Sequence, residues 1–272
     1  MSIVDQGHGA PIVVIPGIQG RWEWMKPAID ALAARCRVIT FSLADEPSSG
    51  GHFDEDRGFL SYVDQVRDAL DTAGLQQATI CGISYGGLIA AAFAARHPDR
   101  TSSIVLVSAL PPSWRPDARV RFYLQAPRAL APVFMLASIR IFREIAVASG
   151  GLAAGLVTTA QLGWLSLTHM FSPSRMARRV RLLGAIDVTV PRPRKMARQM
   201  PALIVTGEPA LDRVVPVHIT REYLQLWPEA RVATLARTGH LGSMTRPTDF
   251  AELVVPFAER TANENDAWRQ VG

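Results

Sequence analysis

Short apolar runs rich in β-branched residues recur along this chain, and several are followed by segments whose apolar positions return every third or fourth residue. Residues 11–17 form the first run, closed by Pro16-Gly17, and read as a strand buried on both faces of a sheet. Residues 22–34 then carry Trp22, Met25, Ile29, Leu32 and Ala33 at helical spacing. A strand at 37–41, a polar loop at 44–57 and an amphipathic helix at 59–73 follow, the helix ended by Gly74. Residues 78–83 predict a third strand, 84–96 an Ala-rich helix stopped before Pro98, and 103–108 a fourth strand. Strands alternating with helices at this spacing imply βαβ units and a parallel sheet.

The alternation breaks at Pro111-Pro112, and up to about residue 200 the pattern is helical with irregular punctuation. It resumes with a strand at 202–207, a helix at 217–226, a strand at 231–235 and a helix at 248–260. The expected fold class is therefore α/β: a mostly parallel, doubly wound sheet with an inserted helical cap. Residues 1–110 and 200–260 make the core, 111–199 an inserted helical lid, and 261–272 a polar, frayed C-terminal tail.

Composition sharpens this picture. The chain has 272 residues, of which 48% are hydrophobic, enough to bury a sizeable core. The stretch 145–171 lacks Asp, Glu, Lys and Arg, and is long enough to span a bilayer. Its Ser, Thr and Gln residues and the Gly150-Gly151 break favour an apolar lid of two helices over a span, with membrane contact through that lid the minor reading. The net charge of +5 is carried largely by arginine. Much of it gathers at Arg175, Arg178, Arg179, Arg181, Arg192, Arg194, Lys195 and Arg198, read as a solvated face of the insertion, with an anionic substrate or acidic lipid surface as the lesser reading. No module or interleaved aromatics support nucleic-acid binding. Cys36 and Cys81 lie in or beside apolar runs and read as buried free thiols, which suits a reducing, cytoplasmic compartment. The first residues show no basic and apolar signal pattern.

The strongest chemical signal is Gly82-Ile83-Ser84-Tyr85-Gly86, a G-x-S-x-G placed between a predicted buried strand and a predicted helix. That turn lifts a serine hydroxyl above the sheet and aims the helix N-terminus at it. A serine is a weak nucleophile at neutral pH and needs a base, itself oriented by a third group. Of six histidines, His240 lies on a loop at the carboxyl edge of the sheet, as Ser84 does; His97 reads as a helix-end cap, and His169 could approach the pocket from the lid. Two carboxylates, Glu208 and Asp212, compete for the third role after the 202–207 strand.

These motifs resemble the α/β-hydrolase family, in particular its serine esterase-like members with a helical lid, over residues 11–110 and 200–260. Family members often carry Gly-x-x-Asp-x-Val/Ile-Val/Thr-Pro after this strand. Asp212-Arg213-Val214-Val215-Pro216 matches its second half, although Gly207 lies two residues farther upstream than usual. The resemblance thus implies Asp212 as the acid, and the chain order Ser84, Asp212, His240 is the family's order. It also implies an oxyanion hole made by the backbone N–H groups of Tyr85 and Ile18, the latter in a Pro16-Gly17 loop where the family usually has His-Gly. Trp22 and Trp24 follow that loop; one is expected to pack the helix and the other to line an acyl pocket. The family's Asp-x-x-Gly-x-Gly-x-Ser loop is replaced here by Ala44-Asp45-Glu46-Pro47-Ser48-Ser49-Gly50, and the strands that usually precede residue 11 are short or missing.

The implied activity is hydrolysis of a small, apolar carboxylic ester through an acyl-enzyme on Ser84, with no cofactor or metal. The same residues could serve C–C bond hydrolysis, lactone hydrolysis, perhydrolysis, hydroxynitrile cleavage or acyl transfer, since fold does not choose among chemistries. Haloalkane dehalogenase and epoxide hydrolase chemistry needs Asp at the elbow and is disfavoured by Ser84. A ligand-binding protein on the same scaffold would have no need of a complete triad.

Overall fold

The computed structural model describes residues 1–168, 172–183 and 200–271. Its strands are β1 (Val4–Gln6), β2 (Ala10–Ile15), β3 (Cys36–Thr40), β4 (Ala78–Ile83), β5 (Thr101–Val107), β6 (Ala202–Thr206) and β7 (Arg231–Thr234). They form one sheet in the order β1-β3-β2-β4-β5-β6-β7, parallel throughout except for β1, which pairs antiparallel with β3. The α-helices are α1 (Lys26–Ala33), α2 (Leu60–Thr72), α3 (Tyr85–Arg96), α4 (Ala118–Gln125), α5 (Ala131–Ala137), α6 (Phe142–Ala148), α7 (Leu152–Thr168) and α8 (Pro173–Leu183). After β6 come α9 (Val217–Thr220), α10 (Gly242–Thr245) and α11 (Pro247–Val271).

Two apolar layers explain why the central strands read as continuous hydrophobic runs. Val13, Ile15, Ile80, Ile104, Leu106 and Ile204 face the layer built with α2 and α3. Ile12, Val14, Cys81, Val105, Val107, Leu203 and Val205 face the opposite layer, with α1 and α11. Alternate side chains of a strand point to opposite faces, so a strand covered on both sides must be apolar at every position. The chain runs from β2 outward to β3, then crosses back to place β4 on the other side of β2. Loops at the carboxyl ends of β2 and β4 therefore diverge, opening the crevice where open α/β sheets bind ligands.

The connection between β5 and β6 contains α4 to α8, as the helical pattern predicts. Gly150 and Gly151 both take positive φ and separate α6 from α7, so the charge-free stretch is broken where expected. No helix among the described residues is long and apolar enough to cross a membrane.

Two expectations need correction. The last helix does not end at 260: α11 continues to Val271, and the buried Thr261 hydroxyl meets Ser103 Oγ at 3.0 Å, which ties that turn to the sheet. The arginines of α8 are not simply a solvated face. Arg179 is fully buried and paired with Asp45 and Glu46, and Arg175 pairs with Glu46. Composition shows that charge is present, but only the fold shows which carboxylates await it. Arg192, Arg194, Lys195 and Arg198 lie outside the described residues.

Candidate active site

Ser84 occupies the single residue between β4 and α3, with φ 54° and ψ −116°, a conformation that side-chain-bearing residues rarely adopt. Its strain is held by the surrounding backbone: Ser84 N–H donates to the Val107 carbonyl at 2.8 Å, and its carbonyl accepts from Gly87 and Leu110. The glycines of the motif are needed for close approach. A Cβ on Gly82 would lie 2.3 Å from the Gly86 carbonyl oxygen, and one on Gly86 would lie 2.4 Å from that of Ile15. Strand and helix can meet this tightly only without side chains.

The elbow presents Ser84 Oγ to His240 Nε2 at 3.1 Å. His240 lies on the loop between β7 and α10. Its other ring nitrogen, Nδ1, stands 3.6 Å from Asp212 Oδ2, close enough for strong charge attraction though longer than a good hydrogen bond. Asp212 is buried, and its Oδ1 accepts from the amides of Val214 (3.0 Å) and Val215 (2.9 Å). Burial alone would push the Asp212 carboxyl up, but His240 and these two amides outweigh it and hold the group below the usual carboxylate range.

The irregular spacing after Gly207 has a local explanation. The Glu208 carbonyl accepts from the amides of both Leu211 and Asp212 at 3.0 Å, so the additional residues are wound into one helical turn. Glu208 itself turns away, its Oε1 accepting from the Arg237 amide at 2.7 Å. The fold thus brings Asp212, and not Glu208, to His240.

Beside Ser84, the loop after β2 comes close enough that a Cβ on Gly17 would touch Ser84 Cβ at 3.5 Å. Ile18 is half-buried on this loop, and Tyr85 begins α3 with its ring fully buried against Phe59 and Tyr62. The loop of Gly17 and the start of α3 thus border Ser84. Trp22 packs against the apolar layer of α1 and α11, the helix-packing role expected of one of the two tryptophans; Trp24 is half-buried on the same turn. His97 ends α3 and stacks on Phe93 at 4.8 Å between ring centroids, as its reading as a helix-end residue required. His169 falls outside the described residues.

One carboxylate near the site escaped the sequence reading. Glu144, on α6, is buried and accepts a hydrogen bond from the Leu241 amide, the residue after His240. Burial pushes its carboxyl up, while the Leu241 amide and His240 oppose the shift. A lone Glu in an apolar helix signals burial with a partner, but nothing in its spacing names that partner across 97 positions. A shallow cavity of about 380 Å³ opens beside the Asp212 loop, lined by residues including Arg115, Arg119, Arg213, Val214 and Glu222, whereas Ser84 is 8% exposed and lies outside that lining.

Together these observations describe an open α/β sheet with a strained serine at the switch-point crevice, a histidine in reach of its hydroxyl, and a buried carboxylate behind the histidine. A family model described as the alpha/beta hydrolase fold matches residues 10–139. The chain has the α/β-hydrolase fold. It is 26% identical over 259 residues to a protein of Azorhizobium caulinodans named as a putative carbamate hydrolase RutD, covering 92% of each chain. It is 24% identical to a 2-hydroxymuconate semialdehyde hydrolase of Pseudomonas putida, over 94% of this chain and 89% of the relative. Among solved structures, an esterase from Exiguobacterium antarcticum superposes with a TM-score of 0.75 at 17% identity, covering 94% of both chains.

Proposed function

We propose that this protein is a serine hydrolase that cleaves a carboxylic ester of a small, apolar acyl or aryl substrate. The observation that carries the reading is the contact between Ser84 Oγ and His240 Nε2, at 3.1 Å, with Asp212 behind it. His240 takes the Ser84 proton as Oγ attacks the ester carbonyl, and returns it to the leaving alcohol. Asp212 holds the imidazole tautomer and stabilises its charged form. The N–H groups of Ile18 and Tyr85 receive the oxyanion, and water, activated by His240, then releases the acid from Ser84. Every proton in this cycle is carried by these side chains and water. The β5–β6 connection acts as a lid, and its apolar residues supply the surface for the acyl group. The likeness to proteins named as hydrolases and to an esterase supports the class, and the strained elbow supports the nucleophile.

The test is a fluorophosphonate probe read by intact-protein mass spectrometry, together with a p-nitrophenyl ester series. The expected result is one adduct on Ser84, lost in Ser84→Ala and suppressed in His240→Ala, with turnover of short to medium acyl chains. An adduct-free protein would overturn the hydrolase reading. A Ser84 adduct without turnover anywhere in the series would overturn the ester assignment and move the same residues to C–C, lactone, perhydrolysis or acyl-transfer chemistry.

A further inference from the structure

The replaced loop at 44–50 and the buried arginine of α8 meet at one point. Arg179, wholly removed from solvent, donates through Nε and Nη2 to Asp45 Oδ1 at 3.1 and 2.6 Å, and through Nη2 to Glu46 Oε1 at 2.6 Å. Its remaining branch does something else: Nη1 donates to the Ile18 backbone carbonyl at 2.8 Å. From the same residue, the backbone carbonyl accepts from Tyr85 Oη at 3.3 Å. One residue of the β5–β6 connection therefore contacts both of the residues proposed above as oxyanion donors.

The loop it holds is a tight turn. Gly20 N–H closes onto the Gly17 carbonyl at 2.9 Å, and Leu43 N–H secures the Gly20 carbonyl at 2.6 Å. Those two bonds fix the turn's ends but leave its middle peptide, made of the Ile18 carbonyl and the Gln19 N–H, free to rotate between alternative turn types, and that rotation is felt at the Ile18 Cα, where the peptide carrying the Ile18 N–H joins it. The Arg179 guanidinium pins that oxygen and lies against Gly20 so closely that a Cβ there would stand 2.3 Å from it. A planar guanidinium, pre-organised by two buried carboxylates, is a stiff support for a backbone carbonyl; a lysine ammonium is not.

We infer that Arg179 is a positioning residue for the oxyanion hole, so that docking of α8 and completion of the hole are coupled. This rests on the assignment of Ile18 and Tyr85 as oxyanion donors in the proposed function. Arg179 does not touch the reacting atoms; it acts through the Ile18–Gln19 peptide, which adjoins at the Ile18 Cα the peptide carrying the donor N–H, and, through Tyr85, on the first turn of α3. Its effect belongs to the transition state, where the oxyanion exists, and not to the substrate's ground state.

The experiment compares Arg179→Lys with wild type on a p-nitrophenyl ester, alongside inhibition by a trifluoromethyl ketone that forms the tetrahedral oxyanion. Loss of a whole donor lowers kcat by about 10²–10³, so a donor left loosely held should lower kcat by roughly 10–100-fold. KM should stay within about threefold, and ketone affinity should fall in parallel with kcat/KM. A purely structural role would lower the melting temperature or the active fraction without this parallel. A folded Arg179→Lys variant with unchanged kcat, or with ketone affinity unmoved, overturns the inference. Should Arg179→Lys fail to fold, Tyr85→Phe removes the second contact while keeping the ring, and the same parallel loss at smaller amplitude is required of it; unchanged kinetics there overturn the inference equally. A wild-type protein without a Ser84 fluorophosphonate adduct would instead remove the underlying hydrolase reading, so the two failures are distinguishable.

Discussion

Replacing Asp212 by Asn tests the assignment of the acid directly. At 3.6 Å, and with an effective dielectric constant of about 20, a carboxylate attracts a protonated His240 by about 4 to 5 kcal/mol. At 1.36 kcal/mol per decade this corresponds to roughly 10³–10⁴ in kcat, the range expected when the third member of such a triad loses its charge and favours the wrong imidazole tautomer. The native fold should be kept at some cost in stability, because the Asn oxygen can still accept from the Val214 and Val215 amides that now bond Oδ1. Asp212→Ala would strand those two amides at about 1–3 kcal/mol each, so Asn is the cleaner variant. The assay is kcat and KM on a p-nitrophenyl ester with thermal melting in parallel. Glu208→Gln is the control, expected to stay within about threefold in kcat/KM because Glu208 serves the Arg237 amide. A melting-competent Asp212→Asn protein retaining more than a tenth of wild-type kcat, or an equal loss in Glu208→Gln, would refute the reasoning.

Four further outcomes follow from the geometry. Glu144 has its carboxyl pushed up by burial, so its charged form costs stability that grows as pH rises from the ordinary carboxylate range toward neutrality. Glu144→Gln keeps an acceptor for Leu241 and should gain melting temperature over wild type from about pH 4 to pH 7; a pH-independent difference would contradict this. Asp212 is shifted the other way, so its contribution is present above the ordinary carboxylate range and is lost as pH falls through its depressed native value. The stability gap between wild type and Asp212→Asn should accordingly narrow toward acid in denaturation curves. Cys36 and Cys81 are buried thiols pushed up to about 11 and about 12, and native protein should resist iodoacetamide at neutral pH until unfolded; alkylation of the folded chain would refute their burial. Gly86→Ala places a methyl 2.4 Å from the Ile15 carbonyl and 2.6 Å from that of Pro16, both backbone, and should lower the melting temperature by an overpacking penalty of at least about 1–3 kcal/mol. A variant that melts with wild type would show that β2 gives way.

The parts of the site that could be read in the sequence are those encoded locally. The elbow is a strand, a serine and glycines within a few residues, and its backbone demands are visible in that composition. His240 is far from Ser84 in the chain but could be placed because it follows a recognisable strand at the same edge of the sheet, whereas Asp212 was separated from Glu208 only by the resemblance to the family's motif. Arg179 and Glu144 could not. Their partners lie 134 and 97 residues away, in loops with no periodicity, and a single charged residue in a helix looks alike whether solvent or a buried carboxylate receives it. The end of the last helix was placed too early for a related reason. Thr261 is a polar residue that follows an amphipathic helix, and its reason for remaining helical is a hydroxyl on β5.

The Arg179 cluster also bears on how far this segment can be exchanged between relatives. A chimera that imports another β5–β6 connection without arginines at these places would remove the ion pairs that Arg179 makes with Asp45 and Glu46 and that Arg175 makes with Glu46. An unpaired buried charge destabilises by about 3–5 kcal/mol, a large share of the stability of an ordinary domain. Transplants should therefore fail unless residues 45 and 46 travel with the insert, and the same pairing obliges the two regions to drift together over evolutionary time.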